Sequence, residues 1–149
     1  LKFTVCSVST IRQLASALAS PDSLQHFMTL FKEIIMTTDI NVLAEATVNQ
    51  AVVEANRKTQ NYIAQHGERG GCGFTWVDIY GVRANSKLGK ALIANGFRKD
   101  SYDKSLKFWS PDKTTTQSVA AKEAGAQAFV TVMQNSFEDI RIYVGSRLD

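Results

Sequence analysis

At residues 67–73 the hydrophobic pattern of this chain changes its period, and the change limits the folds that the sequence can adopt. Before this segment, apolar residues recur every three to four positions, which is typical of helices that bury one face. The segment holds four glycines, and residues 74–82 after it alternate and are rich in aromatic and β-branched side chains, as strands are. The sequence therefore predicts a helical part followed by a part that mixes strands and helices.

The helical part is predicted to contain three helices. The second has the Ser-Pro-Asp start that favours a helix N-terminus, and the third is capped by Thr38 or Asp39. The third helix is long enough to pack across the whole molecule or against a second copy of the chain. The three helices are expected at residues 10–19, about 20–36 and about 39–66.

The second part predicts the order β-α-β-α-β, with its first helix capped by Asn85 or Ser86. The elements are expected at residues 74–82, 86–95, 105–109, 118–134 and 140–144. The fold class is therefore α+β, with three N-terminal helices packed on a β-α-β-α-β unit with a small parallel or mixed sheet. The connection 83–104 is long enough for a right-handed parallel crossover. We expect one compact domain over residues 1–149, with a glycine loop at 67–73 between its parts 1–66 and 74–149.

Positive charge is concentrated in the middle of the chain. The whole chain has a formal net charge of +3, but residues 69–122 hold ten Lys or Arg and only four Asp or Glu. Such a concentration favours a polyanionic partner. No apolar run is long enough to span a membrane, and no signal-peptide pattern opens the sequence, so no membrane partner is expected. Two distant cysteines, Cys6 and Cys72, form no disulfide framework and favour a cytoplasmic location.

The turn GVRANSKLGKAL is the first candidate ligand-binding segment. A helix N-terminus offers free backbone N–H groups to an anion, and cationic and polar side chains lie beside it in the sequence. The alternative is an ordinary capped helix with a solvated basic face. The candidate residues are Arg83, Asn85, Ser86, Lys87 and Lys90.

The second candidate segment interleaves basic and aromatic residues, namely Arg98, Lys99, Lys107 and Trp109. Cations suit phosphates and flat rings suit bases, so the pattern favours nucleic acid or a nucleotide. Because apolar residues alternate with Lys107 and Trp109, these two side chains are expected on the exposed face of their strand. The alternative is a strand whose apolar residues are core and whose lysines are merely solvated.

The sequence contains no recognisable set of nucleophile, base and orienting group, so we predict no catalytic residues and lean toward a protein that is not an enzyme. It also has no paired His/Cys spacing for a metal, and no cofactor is expected. A small acyltransferase or a thiol enzyme is the enzymatic alternative. The first would need glycines that the RANSKLG turn lacks, and the second would use Cys72 with His66 as the nearest base.

Several runs in the last 78 residues resemble small uncharacterised proteins of tailed bacteriophages. These runs are CGFTWVDIYGVRANSKLGKAL from Cys72, the GF at 96–97, LKFWSP at 106–111, KEAGAQAF at 122–129 and the terminal YVGSRLD. The resemblance implies a phage origin and the cytoplasm of an infected bacterium, and it brings no known activity or functional residue.

Together these observations predict a non-enzymatic phage accessory protein that binds a polyanion, either nucleic acid or a nucleotide, through a basic and aromatic face. The alternative is a protein-interaction module. It would act as a homo-oligomer through the helix at 39–66, or as an inhibitor of a host protein or of a host defence system.

Overall fold

The computed structural model of the protein describes residues 25–26, 29–30 and 39–149. The four described residues before position 39 are helical, in agreement with the second predicted helix. The rest of the first two predicted helices and Cys6 lie outside the described residues. The chain divides into two units after residue 38. The single compact domain with a glycine loop at 67–73 stays a prediction.

Residues 39–149 contain three helices and four strands. In chain order these are α1 (Ile40–His66), β1 (Gly73–Tyr80), α2 (Lys87–Ala94), β2 (Arg98–Lys99), β3 (Leu106–Trp109), α3 (Val119–Ser136) and β4 (Arg141–Leu148). The α+β class is therefore confirmed. Two differences from the prediction concern strands: β2 was not expected, and β4 continues past the predicted end at residue 144.

Each helix in this part of the chain begins at a capping side chain. The Asp39 carboxylate accepts from the backbone N–H of Asn41, and the hydroxyls of Ser86 and Ser118 accept from backbone N–H groups in the first turns of α2 and α3. Such a side chain satisfies one of the four N–H groups that a helix start leaves without a partner. Asp39 and Ser86 were both among the predicted caps.

The sheet is antiparallel throughout, with the strand order β2-β3-β1-β4. The predicted parallel or mixed sheet is therefore wrong. Because β2 and β1 both run antiparallel to β3, they are parallel to each other, but β3 lies between them. The chain thus runs from β1 through α2 to β2, which is not a neighbour of β1 in the sheet.

The second crossover is built in the same way. Strands β3 and β4, joined through α3, both pair antiparallel with β1 and lie on either side of it. From β1 onward the order is β-α-β-β-α-β with two such split crossovers, the arrangement of ferredoxin-like folds. Helix α1 is an addition in front of this unit.

All three helices share one core with one face of the sheet. Helix α3 packs against β1 and β4, and α1 packs on α3 and α2. The strands contribute alternate residues to the core, including Val77, Ile79, Leu106 and Phe108. None of the helices in the described part of the chain is long and apolar enough to cross a membrane.

The apolar stripe of α1 is used within its own chain. Its buried residues are Ala44, Thr47, Val48, Ala51, Ala55 and Thr59, and the helix packs chiefly on α3. These small side chains allow the two helices to approach closely. The long helix was our reason for expecting a homo-oligomer, and its apolar face already has a partner in α3.

Candidate functional site

The face of the sheet that points away from the helices carries a row of aromatic and basic side chains. We call this surface the open face. Three of its aromatic residues, Phe74, Trp109 and Tyr143, are 40%, 47% and 56% exposed. By strand alternation and register, the open face comprises Phe74, Trp76, Asp78 and Tyr80 of β1, Arg98 of β2, Lys107 and Trp109 of β3, and Arg141, Tyr143, Gly145 and Arg147 of β4.

Two tryptophans lie side by side on the two middle strands of the open face. Trp76 and Trp109 are direct partners across β1 and β3, with ring centroids 5.1 Å apart. The Trp76 indole lies over Gly145, since a Cβ there would be only 2.7 Å from the indole Cζ2. Its Nε1–H donates to Asp78 at 2.8 Å. The Trp76 ring is thus fixed by the strand beneath it and by a hydrogen bond at its edge.

Lys107 lies among acids and rings rather than free in solvent. Its ammonium donates to Asp100 at 2.7 Å and lies 3.7 Å from Asp78. It also lies 5.4 Å and 5.7 Å from the ring centroids of Trp76 and Trp109, within the range of cation–π attraction. The Asp100 hydrogen bond raises the pKa of Lys107, and the same bond lowers the pKa of Asp100. Lys107 therefore organises the tryptophan pair, with most of its charge already compensated.

Asp78 interacts with the neighbouring strand of the sheet and with its own. Its carboxylate accepts from Trp76 and lies 3.2 Å from the buried Ser105 hydroxyl, whose shorter bond, 2.6 Å, goes to Asp103. Its nearest cation is Lys107. The reason is the antiparallel register, which places residue 107 directly opposite residue 78.

Two tyrosines occupy the end of the open face nearest the loop before β3. Tyr80 and Tyr143 meet edge to face, with ring centroids 5.9 Å apart. The Tyr80 hydroxyl donates to Asp103 at 3.0 Å, and this hydrogen bond raises the pKa of Tyr80. Hydrogen bonds from the hydroxyl and the backbone N–H of Ser105 lower the pKa of Asp103. Asp103 is thus held toward the sheet as an acceptor.

The opposite end of the open face is cationic. The Arg147 guanidinium lies 5.9 Å from the ring centroid of Phe74, and the Lys122 ammonium lies 5.8 Å from it. Lys122 belongs to α3 and also donates to the Gly73 carbonyl at 2.8 Å. This end of the face combines an exposed ring with two cations.

The predicted ligand-binding residues fall into three neighbouring places. Arg83, Asn85 and Lys99 line a cleft of about 840 Å³ at the end of β1. Lys87 and Lys90 line a separate cavity of about 470 Å³ beside the start of α1. Arg98, Lys107 and Trp109 line a shallow pocket of about 220 Å³ at the open face, which Lys99 shares.

Ser86 has a structural role within this set. Its hydroxyl donates to the Arg83 carbonyl at 2.6 Å and accepts from the Gly89 N–H at 3.0 Å. Both bonds maintain the turn into α2, so Ser86 acts here as a helix cap.

Several members of the open face were not among the predicted site residues. Trp76 and Tyr143 alternate with core residues on their strands, which is the signal that identified Trp109. Arg147 could not be placed because β4 was predicted to end at residue 144, and Arg141, although inside the predicted strand, was not selected. The exposure of Trp109 on the side of Lys107 was predicted, and the structure confirms it.

Among the described residues, no group of three or more His, Cys, Asp or Glu side chains is arranged to hold a metal ion. Cys72 is exposed and is not part of a disulfide. Comparisons of the chain with protein-family models, with curated proteins and with solved structures gave no match.

Proposed function

We propose that the open face binds single-stranded nucleic acid by stacking bases on its exposed aromatic rings. The observation that carries this proposal is the Trp76–Trp109 pair, two indoles on the middle strands of a sheet face that no described helix covers. Stacking on such a ring is worth about 1–3 kcal/mol per base and tolerates any sequence.

The spacing of rings along one strand of the sheet supports the same function. RNA-recognition modules present a four-stranded sheet whose aromatic side chains stack two or three bases. In this chain the rings of Phe74, Trp76 and Tyr80 project from one strand, and adjacent positions on one face of a strand repeat about every 7 Å. Fold alone does not define function, so the rings rather than the topology support the proposal.

The charges on the open face favour a nucleic-acid strand that contacts both ends of the sheet. Lys107 is balanced by Asp78 and Asp100, whereas Arg98, Arg141 and Arg147 form no ion pair with the other described residues. These arginines are available to phosphates. Stacking of exposed bases excludes an intact duplex, whose bases are already stacked on one another.

As part of the same proposal, the resemblance to small tailed-phage proteins implies that the nucleic acid is met inside an infected bacterial cell. The alternative proposal is a docking face for a host protein, since exposed Trp, Tyr and Arg are the residues that dominate protein interfaces. The two differ in salt dependence, because phosphate contacts release counterions.

The test is fluorescence anisotropy of short labelled single-stranded DNA and RNA, with a duplex of the same sequence as competitor. We expect saturable binding to single strands, with an affinity that falls as salt rises by a log–log slope of about 0.7 per phosphate contacted. Loss of one stacked base in Trp109→Ala should weaken binding about 5- to 150-fold.

Trp109→Phe keeps a ring and should retain most of the affinity. Tyr62→Ala is the matched control, because this aromatic residue lies on α1. Helix α1 packs on α3 and α2, on the side of the sheet opposite to the open face. No binding of any single strand, or equal affinities for the parent and Trp109→Ala, would refute nucleic-acid stacking and favour a protein partner.

A further inference from the structure

The cleft at the end of β1 concentrates cations. Its lining includes Arg83, Lys99 and Lys104, together with the amide of Asn85 and the hydroxyl of Ser101. The described residues that line it include no Asp or Glu. At about 840 Å³ the cleft is within the size range of small-molecule sites.

The acids of the adjacent loop are directed away from this cleft by specific hydrogen bonds. Asp100 accepts from Lys107 on the open face, and Asp103 accepts from Tyr80 and Ser105. The loop therefore separates its charges, with carboxylates toward the sheet and the side chain of Lys104 toward the cleft. Among the residues that the structure describes, none of the three cations of the cleft forms an ion pair.

The cleft is continuous with the open face around the edge of the sheet. The pocket that contains Trp109 and Arg98 shares two lining residues with the cleft, Lys99 and Ser101. It also contains Asp100, whose carboxylate is paired with Lys107. A strand that stacks on Trp109 can therefore continue past Lys99 into the cleft without leaving the protein surface.

We propose that this cleft holds the terminal phosphate of the nucleic-acid strand bound on the open face. An internal phosphodiester carries one negative charge, whereas a terminal phosphomonoester carries about −1.5 to −2 at pH 7. Three uncompensated cations favour the more highly charged group, and the Arg83 guanidinium can bind two of its oxygens at once. The inference rests on the proposed function, since it names the class of strand that the same surface selects: one with a phosphorylated end.

The test compares three otherwise identical single strands, with a 5′ phosphate, with a 3′ phosphate and with hydroxyls at both ends. We expect one phosphorylated strand to bind about five- to tenfold more tightly than the hydroxyl strand, the gain of a few exposed ion pairs. The preferred end gives the polarity of the strand on the face.

Variants separate the cleft from the face. Arg83→Ala and Lys104→Ala should abolish the preference for the phosphorylated end, and Lys58→Ala, an exposed lysine on α1, should retain it. Trp109→Ala should weaken all three strands by the same factor and leave their ratio unchanged.

The outcomes distinguish the two proposals. If the hydroxyl strand binds and neither phosphate improves its affinity, the terminal-phosphate inference is wrong and base stacking stands. A preference that persists in both Arg83→Ala and Lys104→Ala also overturns it, because the phosphate then lies elsewhere. If no strand binds at all, both proposals fail together.

Discussion

Gly145 lies beneath the Trp76 indole, and replacing it with alanine tests the geometry of the open face. The added Cβ would be 2.7 Å from the indole Cζ2, against an ordinary carbon–carbon contact of about 3.5 Å. The ring must therefore move by about 1 Å. Such a movement lengthens the 2.8 Å hydrogen bond from its Nε1–H to Asp78 beyond the normal range.

The effect on stability follows from two opposing contributions. Alanine in a strand gains about 0.5–1 kcal/mol over glycine. A hydrogen bond to a charged group contributes about 1.5–3 kcal/mol, and the half-buried position of Trp76 puts its loss at the lower end of that range. We therefore expect Gly145→Ala to lower the free energy of unfolding by roughly 0.5–1 kcal/mol.

The assay uses the protein's two tryptophans, Trp76 and Trp109. In a Trp109→Phe background the emission reports Trp76 alone, and Gly145→Ala should shift it to longer wavelength as the indole becomes more exposed to water. Urea unfolding of the same proteins gives the change in stability. Lys58→Ala, an exposed position on α1, is the control. Unchanged emission together with increased stability would refute the placement of the ring over Gly145.

Two further predictions concern the core and the acidic loop. Gly125→Ala should destabilise the protein by about 1–2 kcal/mol in urea unfolding. The added Cβ would be 2.9 Å from the Ala55 carbonyl oxygen, and this overpacking outweighs the better helix propensity of alanine. A more stable variant would contradict the close packing of α1 on α3. The folded state lowers the pKa of Asp100, so the ionised carboxylate stabilises the fold at pH values above the ordinary pKa of an aspartate, and this contribution is lost as the pH falls through the lowered pKa. The stability difference between the parent and Asp100→Asn should therefore be constant near neutral pH and disappear in acid. A difference that persists at the lowest pH would show that the carboxylate charge is not its source.

The helices could be predicted because their signals are local. The caps at Asp39 and Ser86 each depend on residues within the first turn of their own helix, and the structure confirms both. Alternation within β1 and β3 likewise separated core residues from those on the open face. These patterns depend only on the period of the element itself.

The sheet order could not be predicted in the same way. Strand β2 has two residues, Arg98 and Lys99, and carries no strand pattern, yet it turns a simple crossover into a split one. The extension of β4 runs through Gly145 and Ser146, which favour turns in a sequence but are held in the strand by pairing with β1.

The candidate site shows the same limit. Exposure of Trp109 followed from alternation, but the compensation of Lys107 depends on Asp78 from a different strand and on Asp100 from the preceding loop. The ligand-binding role of Lys107 stays a prediction, and its position between acids and rings could not be predicted from its own strand.

The pairing of β1 with β4 has a consequence for the speed of folding. Its ladder begins at Tyr80 and Arg141, and α2, β2, β3 and α3 all lie in the chain between these two residues. Closing so long a loop loses chain entropy, and this loss is offset only once many contacts form together. Helices, in contrast, form from near neighbours within microseconds. The contact of Trp76 with Gly145 should thus be among the last to form in refolding, and the fluorescence of Trp76 should report the slowest phase.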